Sequence, residues 1–238
     1  MRRKRNDEID LQRRYYEQTA AKYNQSHVHA EDEHLLALTF LLAVFDYLGV
    51  HSVLDVGSGT GRALLHIKQK RPDVILTGVE PVEALRIIGH GSGLSDHELV
   101  AGDATQLPFE NAAFDVVCAF GVLHHVSEPG LVVAEMLRTA RKAIFISDAN
   151  NFGQGSLLVR GVKQLIHALG LWPLADFLKT RGKGYMWSEG DGVTYSYSVF
   201  RNYAQIHEAC RSIHVFNTVG SGVNSYRAAS HVALLGIK

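Results

Sequence analysis

Acidic residues follow three short apolar stretches of the chain, at positions that suit a ligand with an amine, a ribose and an adenine. Asp55 stands just before the turn 57–61, Gly-Ser-Gly-Thr-Gly, whose glycines let a ligand approach the backbone closely. Glu80 ends the next stretch and could accept hydrogen bonds from both ribose hydroxyls. Asp103 and Ala104 end the third, where a carboxylate and a backbone amide could bind an adenine edge.

The glycine-rich turn differs from a dinucleotide-binding fingerprint. A Gly-x-Gly-x-x-Gly pattern that begins at Gly57 would need its third glycine where Arg62 stands, and Gly61 comes one residue early. The carboxylate of Asp55 also disfavours a nearby pyrophosphate, because two anions repel each other. It suits a ligand that carries an ammonium group.

Two adjacent histidines follow the fourth apolar stretch. His125 could act as a general base, since an unperturbed imidazole titrates near neutral pH. The alternative is that His124 or His125 packs or forms hydrogen bonds within the loop. A metal site made by His27, His29 and His34 is disfavoured, because thirteen histidines produce chance clusters and no recognised ligand spacing accompanies them.

These residues must be positioned by alternating strands and helices, which predicts a parallel α/β sheet with its ligand at the carboxyl ends of the strands. The predicted strands are 52–56, 74–79, 98–100, 114–120, 143–147, 213–219 and 231–237. The predicted helices are 61–70, 82–88, 128–140 and 199–210.

Two further segments flank this core. A frayed start over residues 1–14 is expected to lead into a helix at 15–23, and a buried helix follows at 35–48. After Asp148 the alternation stops, and a helix at 157–169 precedes a segment rich in glycine and aromatic residues. We therefore divide the single domain into an N-terminal helical gate (1–49), a cofactor-binding core (50–148), a substrate lid (150–197) and the end of the sheet (198–238).

Composition excludes several classes of protein. The 238 residues are 46% hydrophobic and 20% charged, as in an ordinary globular domain, and the 24 basic and 24 acidic side chains cancel. A nucleic-acid-binding surface over the whole protein is thus disfavoured, whereas local binding by the basic residues 2–5 is kept as an alternative. Cys118 lies in an apolar stretch, which favours a buried thiol and a reducing compartment. With no spanning segment or signal core evident, we expect a cytoplasmic protein.

At this point the residues resemble the class I S-adenosylmethionine-dependent methyltransferases. Asp55-x-Gly57-x-Gly59-x-Gly61 is similar to the first motif of that family, Glu80 to its ribose acid and Asp103 to its adenine-side acid. The stretch 114–126 is similar to its fourth strand and following loop in the small-molecule branch. The resemblance covers residues 15–148. It implies S-adenosyl-L-methionine as the cofactor and a Rossmann-like open sheet of seven strands, with helices on both faces and an antiparallel last strand.

The resemblance also implies a site. The cofactor-binding residues would be Tyr16, Tyr23, Asp55, Gly57, Ser58, Gly59, Gly61, Glu80, Pro81, Asp103, Ala104, Phe120 and Val122. In similar enzymes a Tyr-x-x-x-Ala-x-x-Tyr helix closes over the cofactor, and Tyr16-x-x-x-Ala20-x-x-Tyr23 fits that pattern, although these tyrosines could equally anchor the helix to the core. The expected substrate-binding residues are His124, Tyr185, Trp187, Tyr195 and Tyr197, with plain packing as the alternative for each of the aromatics.

The function that this resemblance implies is methyl transfer to an oxygen or nitrogen of a small-molecule acceptor, with His125 as the candidate catalytic residue. Two alternatives stay open: an RNA or other macromolecule methyltransferase, and a non-catalytic binding protein of the same fold. Residues 120–123, Phe-Gly-Val-Leu, lack the Pro-Pro-aromatic loop of amino-directed DNA enzymes. The acceptor, the oligomeric state and the choice among oxygen, nitrogen and carbon are not predicted.

Overall fold

The computed structural model describes residues 2–23, 33–219 and 224–238, with side chains of the first helix from Glu8 onward. Its main feature is a seven-stranded sheet in the order β3-β2-β1-β4-β5-β9-β8, in which β1 to β5 are parallel and β9 is antiparallel to both of its neighbours. The strands are β1 Ser52–Val56, β2 Ile75–Val79, β3 Leu99–Val100, β4 Phe114–Phe120, β5 Ala140–Ala149, β8 Ser212–Asn217 and β9 His231–Ile237. The predicted fold class, including its antiparallel last strand, is confirmed.

Helices cover both faces of this sheet. They are α1 Arg2–Thr19, α2 Glu33–Ala43, α3 Phe45–Leu48, α4 Arg62–Lys70, α5 Glu83–Gly91, α6 Pro129–Thr139, α7 Leu157–Ala168, α8 Trp172–Lys179, α9 Tyr203–Ala209 and α10 Ser225–Ala228. Successive side chains of β4 alternate between two cores: Val117 packs with α6 and α9, whereas Val116 packs with α2 and α4. Strands buried on both faces are near-continuous apolar runs, which is why the sequence revealed them.

The order of the strands reverses between β1 and β4. Ligands of open α/β sheets bind outside the carboxyl ends of the strands at such a point. Here the glycine turn leaves β1, and Gly57 adopts a φ of +71°, a conformation that favours glycine. A Cβ atom at this residue would lie 2.6 Å from the side chain of Val122, so the turn leaves no room for one.

The remaining predicted elements differ from the observed ones mainly in where they begin and end. The helix predicted at 35–48 is interrupted after Ala43, and Gly49 ends it in the left-handed conformation. The N-terminal helix begins at Arg2, far before the predicted 15–23, because its lysine, arginine, glutamate and glutamine residues favour helix. The helix predicted at 199–210 begins as a 3-10 turn, Val199–Asn202.

The segment between β5 and β8 carries α7, α8 and a small hairpin of two strands, β6 Met186–Ser188 and β7 Gly192–Thr194. The hairpin contacts α1. Cys118 and Cys210 are buried free thiols. Among the described residues, we find no helix long and apolar enough to cross a membrane.

Candidate active site

Two adjoining cavities open at the carboxyl ends of the central strands. Their volumes are about 490 and 300 Å³. Both are lined by Tyr16, Tyr23, Gly57, Phe120, Gly121 and His125. The predicted gate, glycine turn and histidine loop therefore meet at one place.

The larger cavity holds the acids that follow β2 and β3. The buried carboxylate of Glu80 accepts hydrogen bonds from the backbone amides of Gly59, at 3.0 Å, and Val82, at 2.8 Å. Burial raises the pKa of Glu80, while these two amides act against the rise. Asp103 accepts from the amide and hydroxyl of Thr105, at 2.8 and 2.7 Å. Pro81, Ala104 and Val122 also line this cavity.

Asp55 and Ser58 line the smaller cavity. Burial raises the pKa of Asp55 to about 7, although hydrogen bonds from Ser58 and Cys118 favour its charged form. A ligand ammonium beside this carboxylate would lower that pKa by favouring the anion. Gly61 faces Leu94 instead, and its lack of a Cβ permits close packing at the start of α4.

His124 is held in a buried ion pair. It belongs to the 3-10 turn Leu123–His125, and its Nδ1 lies 2.7 Å from the carboxylate of Asp148 at the end of β5. Burial disfavours the imidazolium, but the negative charge and hydrogen bond of Asp148 outweigh burial and raise the pKa of His124 to about 10. Asp148 also accepts from the amides of Leu123 and Ala149, at 2.7 and 2.6 Å. The site therefore contains a fixed cation at neutral pH.

His125 has the opposite electrostatic environment. Its Nδ1 lies 2.7 Å from the carbonyl oxygen of Val193, which can only accept, and 3.2 Å from the side-chain amide nitrogen of Gln12, which can only donate; the shorter contact assigns a hydrogen to Nδ1, donated to Val193. Its Nε2 is then free to accept from the hydroxyl of Tyr16, at 3.1 Å. Burial and the positive charge of His124 lower the pKa of His125, so its imidazole is neutral at pH 7. Its Nε2 is 3.4 Å from a carboxylate oxygen of Asp191.

The roof of the site is formed jointly by α1 and the β6–β7 hairpin. Gln12 accepts a hydrogen bond from the amide of Val193 and donates one to the carbonyl oxygen of Asp191, at 3.3 Å. Tyr15 donates to the carbonyl oxygen of Glu189, at 3.0 Å. Tyr195 donates to the carboxylate of Glu8, at 2.8 Å.

The tyrosines expected to form a gate have two kinds of contact. Tyr16 and Tyr23 line both cavities, and they also pack on a buried cluster with Ala20, Val82 and Leu85. A Cβ atom added at Gly59 would lie 3.0 Å from the hydroxyl of Tyr23. Cavity lining and anchoring to the core, which sequence reasoning treated as alternatives, thus occur together.

The aromatic residues of the expected lid separate into three environments. Tyr195 lines the larger cavity, and the ring of Tyr185 lies near the ring of Tyr195, with centroids 6.4 Å apart. Trp187 is 53% exposed on the hairpin and lies outside both cavities. Tyr197 is also outside them, because its ring is buried in the core and its hydroxyl donates to Asn202 at 3.1 Å.

Sequence reasoning did not assign a role to Gln12, Asp148 or Asp191. Asp148 ends a strand at the same sheet edge as the other acids, a signal that could have identified it. Gln12 and Asp191 have no such signal, since their contacts arise from the docking of distant segments.

Among the residues that the structure describes, one cluster of side chains could bind a metal ion. His124, His125 and Asp191 each offer a ligand atom, and these atoms lie within 4.8 Å of one another. Burial would raise the pKa of Asp191, but the neighbouring imidazoles of His124 and His125 outweigh burial and hold that pKa well below its usual range. His34, from the disfavoured metal group, lines the smaller cavity and lies 3.0 Å from the hydroxyl of Ser147, while His27 and His29 are outside the described residues.

Comparison with known proteins shows a similarity to methyltransferases over part of the chain. Residues 54–145 match the methyltransferase domain family. The demethylmenaquinone methyltransferase of Roseiflexus castenholzii is 34% identical over 89 residues, which are 37% of this chain and 37% of that protein. The ajmaline N-methyltransferase of Rauvolfia serpentina is 31% identical over 94 residues, 37% of this chain and 32% of that protein. The chain thus matches only about a third of the length of these relatives.

Solved structures are similar over nearly the whole chain. A Thermotoga maritima protein described as a possible histamine N-methyltransferase superposes with a TM-score of 0.62 and 19% identity, covering 94% of this chain and 99% of its own. Magnesium protoporphyrin IX methyltransferase from Synechocystis superposes with a TM-score of 0.62 and 15% identity, covering 97% of this chain and 99% of its own. At such identities the likeness establishes the fold. The family match includes Asp55, Glu80, Asp103 and the histidine loop, so this part of the chain is similar to methyltransferase domains, and the solved structures show that the chain shares their fold.

Proposed function

We propose that this protein transfers the methyl group of S-adenosylmethionine to an oxygen or nitrogen of a small-molecule acceptor, with neutral His125 as the general base. The observation that carries the proposal is the position of His125. His125 lines both cavities, its Nε2 lies 3.1 Å from the hydroxyl of Tyr16, which also lines both, and its Nδ1 lies 2.7 Å from the carbonyl oxygen of Val193.

The residues present fit the cofactor. Asp55 is a buried carboxylate with a raised pKa, as expected of an acid whose cationic partner is a ligand ammonium. Glu80 is fixed by two backbone amides, which orients its remaining lone pairs for ribose hydroxyls. Gly57, which has no side chain, lines both cavities, so its backbone is accessible to a ligand there. In our proposal the ammonium binds at Asp55, the ribose at Glu80 and the adenine beside Asp103.

The bound cofactor would supply a methyl group made electrophilic by its sulfonium. His125 would accept the proton of the acceptor's hydroxyl or amine on Nε2 as the oxygen or nitrogen forms its bond to carbon. The resulting imidazolium would lie beside the carboxylate of Asp191, 3.4 Å from Nε2. The roof would exclude water, and Tyr16 would orient the ring until the acceptor takes its place at Nε2.

A small acceptor is supported by the size of the site. The cavities are about 490 and 300 Å³, and residues of α1 and Asp191 of the hairpin are among those that line them. The volumes fit a cofactor and a small molecule. The matched relatives are named for demethylmenaquinone and ajmaline, both small molecules.

The test uses S-adenosylmethionine labelled in its methyl group and a metabolite extract, with products separated by mass spectrometry. The wild-type chain is expected to label a low-mass acceptor. His125→Ala should lower kcat by about 10²- to 10⁴-fold and remove the fall in rate at acidic pH, which lies below pH 6.5 because the pKa of His125 is lowered. His207→Ala, on the distant helix α9, is the control and should leave both unchanged. A modest loss with an unchanged pH profile would refute the role of His125, and label found only in macromolecules would refute the acceptor class.

A further inference from the structure

The helices α7 and α8 form an inverted surface element. Neither helix has a buried residue. The polar side of α7 faces the protein, where Arg160 donates to the carbonyl oxygen of Ala228 at 3.2 Å and Lys163 to that of Asn151 at 2.9 Å. The apolar side faces outward, with Leu158 79% exposed and Leu165 61% exposed. An amphipathic helix on a globular domain normally has the reverse orientation.

The apolar face extends across both helices and the turn between them. Its exposed members are Leu157, Leu158, Val159, Val162, Leu165, Leu169, Leu171, Leu174, Phe177 and Leu178. Exposed apolar residues that occur singly are normal on a protein surface, whereas a contiguous set marks an interaction site. We call this set the α7–α8 face.

The charges around the α7–α8 face are mainly positive. Residues 156–184 contain five basic side chains and one acidic one, a net charge of +4 in a chain whose total is zero. Lys179, Arg181 and Lys183 are exposed at the end of α8. The acid, Asp176, is partly buried, with one carboxylate oxygen inaccessible to solvent. A second copy of the chain would bring cations against cations, so the charge favours an anionic partner.

We propose that the α7–α8 face binds the surface of an anionic phospholipid membrane. The leucine-rich side would enter the boundary between headgroups and acyl chains, and Lys179, Arg181 and Lys183 would contact the phosphates. This combination, an apolar helix face with cationic residues at its edge, is that of helices that lie in the membrane interface. The proposal does not depend on the identity of the methyl acceptor.

The test is sedimentation of the full chain with vesicles of phosphatidylcholine alone and with 3:7 phosphatidylglycerol to phosphatidylcholine, about a third anionic lipid. The wild type is expected to sediment with the anionic vesicles and to be released by salt. Leu158→Ser/Leu165→Ser should weaken this binding at least tenfold, since two buried leucine side chains are lost. Arg181→Gln/Lys183→Gln should weaken it about 25-fold, at about fivefold for each charge. Ile87→Ser, equally exposed at 62% but on α5, should have no effect.

Thermal unfolding of each variant shows whether its fold is intact. If Leu158→Ser/Leu165→Ser unfolds, Arg181→Gln/Lys183→Gln still decides the test, because it replaces exposed side chains only. No sedimentation of the wild type with anionic vesicles overturns the proposal. Unchanged binding by both variants assigns it to another surface, such as residues 2–5, and also overturns the proposal. A wild-type dimer that the leucine variant dissociates, without vesicle binding, assigns the face to a second copy of the chain.

Discussion

Replacement of Asp148 by asparagine isolates the electrostatic contribution of the buried histidine pair. Asparagine has nearly the same shape, and its carbonyl oxygen can still accept a hydrogen bond from Nδ1 of His124, which lies 2.7 Å from the carboxylate in the wild type. The change removes the charge and keeps the shape, but the new amide NH2 faces the amide of Leu123, so that one hydrogen bond is lost at every pH. Without the charge of Asp148, the pKa of His124 falls, because only Asp191 still opposes the effect of burial. A comparison of two pH values separates the electrostatic loss from the lost hydrogen bond.

The expected cost follows from the raised pKa of His124. A rise from the usual 6.5 to about 10 corresponds to about 5 kcal/mol, and breaking a buried ion pair typically costs about 3–5 kcal/mol. Because the folded-state pKa is raised, this stability is fully present below pH 6.5 and is lost as the pH rises toward 10. Asp148→Asn should thus lower the free energy of unfolding by about 3–5 kcal/mol at pH 6 and by much less at pH 9.5.

Urea unfolding at the two pH values measures this difference. The matched control is Asp96→Asn, which removes the partner of His90 from an exposed pair with an N to O distance of 3.7 Å. That change should leave the free energy of unfolding almost unaltered, because solvent screens exposed pairs. An equal loss at pH 6 and pH 9.5 for Asp148→Asn would refute the argument, since it would trace the loss to hydrogen bonds or packing rather than to charge.

Three further changes test the cofactor site and its roof. Glu80→Gln should weaken S-adenosylhomocysteine binding about tenfold to a hundredfold in calorimetry, because charge-assisted hydrogen bonds are lost. Glu98→Gln, at a half-buried residue outside both cavities, should not weaken it, and equal affinities of the two variants would contradict the assignment. Gly57→Ala should abolish S-adenosylhomocysteine binding, since the φ of Gly57 is +71° and the turn has no space for a Cβ atom. The control Gly91→Ala, where a Cβ atom would meet nothing, should bind normally. Retained binding by Gly57→Ala would show that the turn can relax. Gln12→Ala should speed amide exchange in both α1 and the β6–β7 hairpin, and faster exchange in α1 alone would show that the two do not close together.

The central sheet could be predicted because its strands carry their own signal. Strands β1, β4 and β9 match the predicted bounds, since each is an apolar run buried on both faces. The acids at the carboxyl ends of β1, β2 and β3 could be placed together for a related reason. Parallel strands share one carboxyl edge, so residues far apart in the chain meet there without any further information.

The roof could not be predicted, because its contacts join residues that no local pattern relates. Gln12 and Val193 form a hydrogen bond although they lie 181 positions apart in the sequence. Asp191 stands between two glycines, and nothing in that local sequence indicates its contacts. The aromatic residues of the lid show the same limit. Trp187 on the exposed hairpin and Tyr197 in the core have similar sequence surroundings, and only tertiary packing separates them.

Closure of the roof and preparation of the proposed base depend on the backbone of the same residue, Val193. The amide of Val193 donates to Gln12 of α1, and its carbonyl oxygen accepts the Nδ1 hydrogen of His125. A hairpin displaced from α1 would withdraw the acceptor that keeps the proton on Nδ1. Nε2 would then lose its fixed role as the atom that accepts a proton. In the proposed mechanism, His125 therefore becomes a competent base only when α1 and the hairpin are joined, which links proton removal to the exclusion of water.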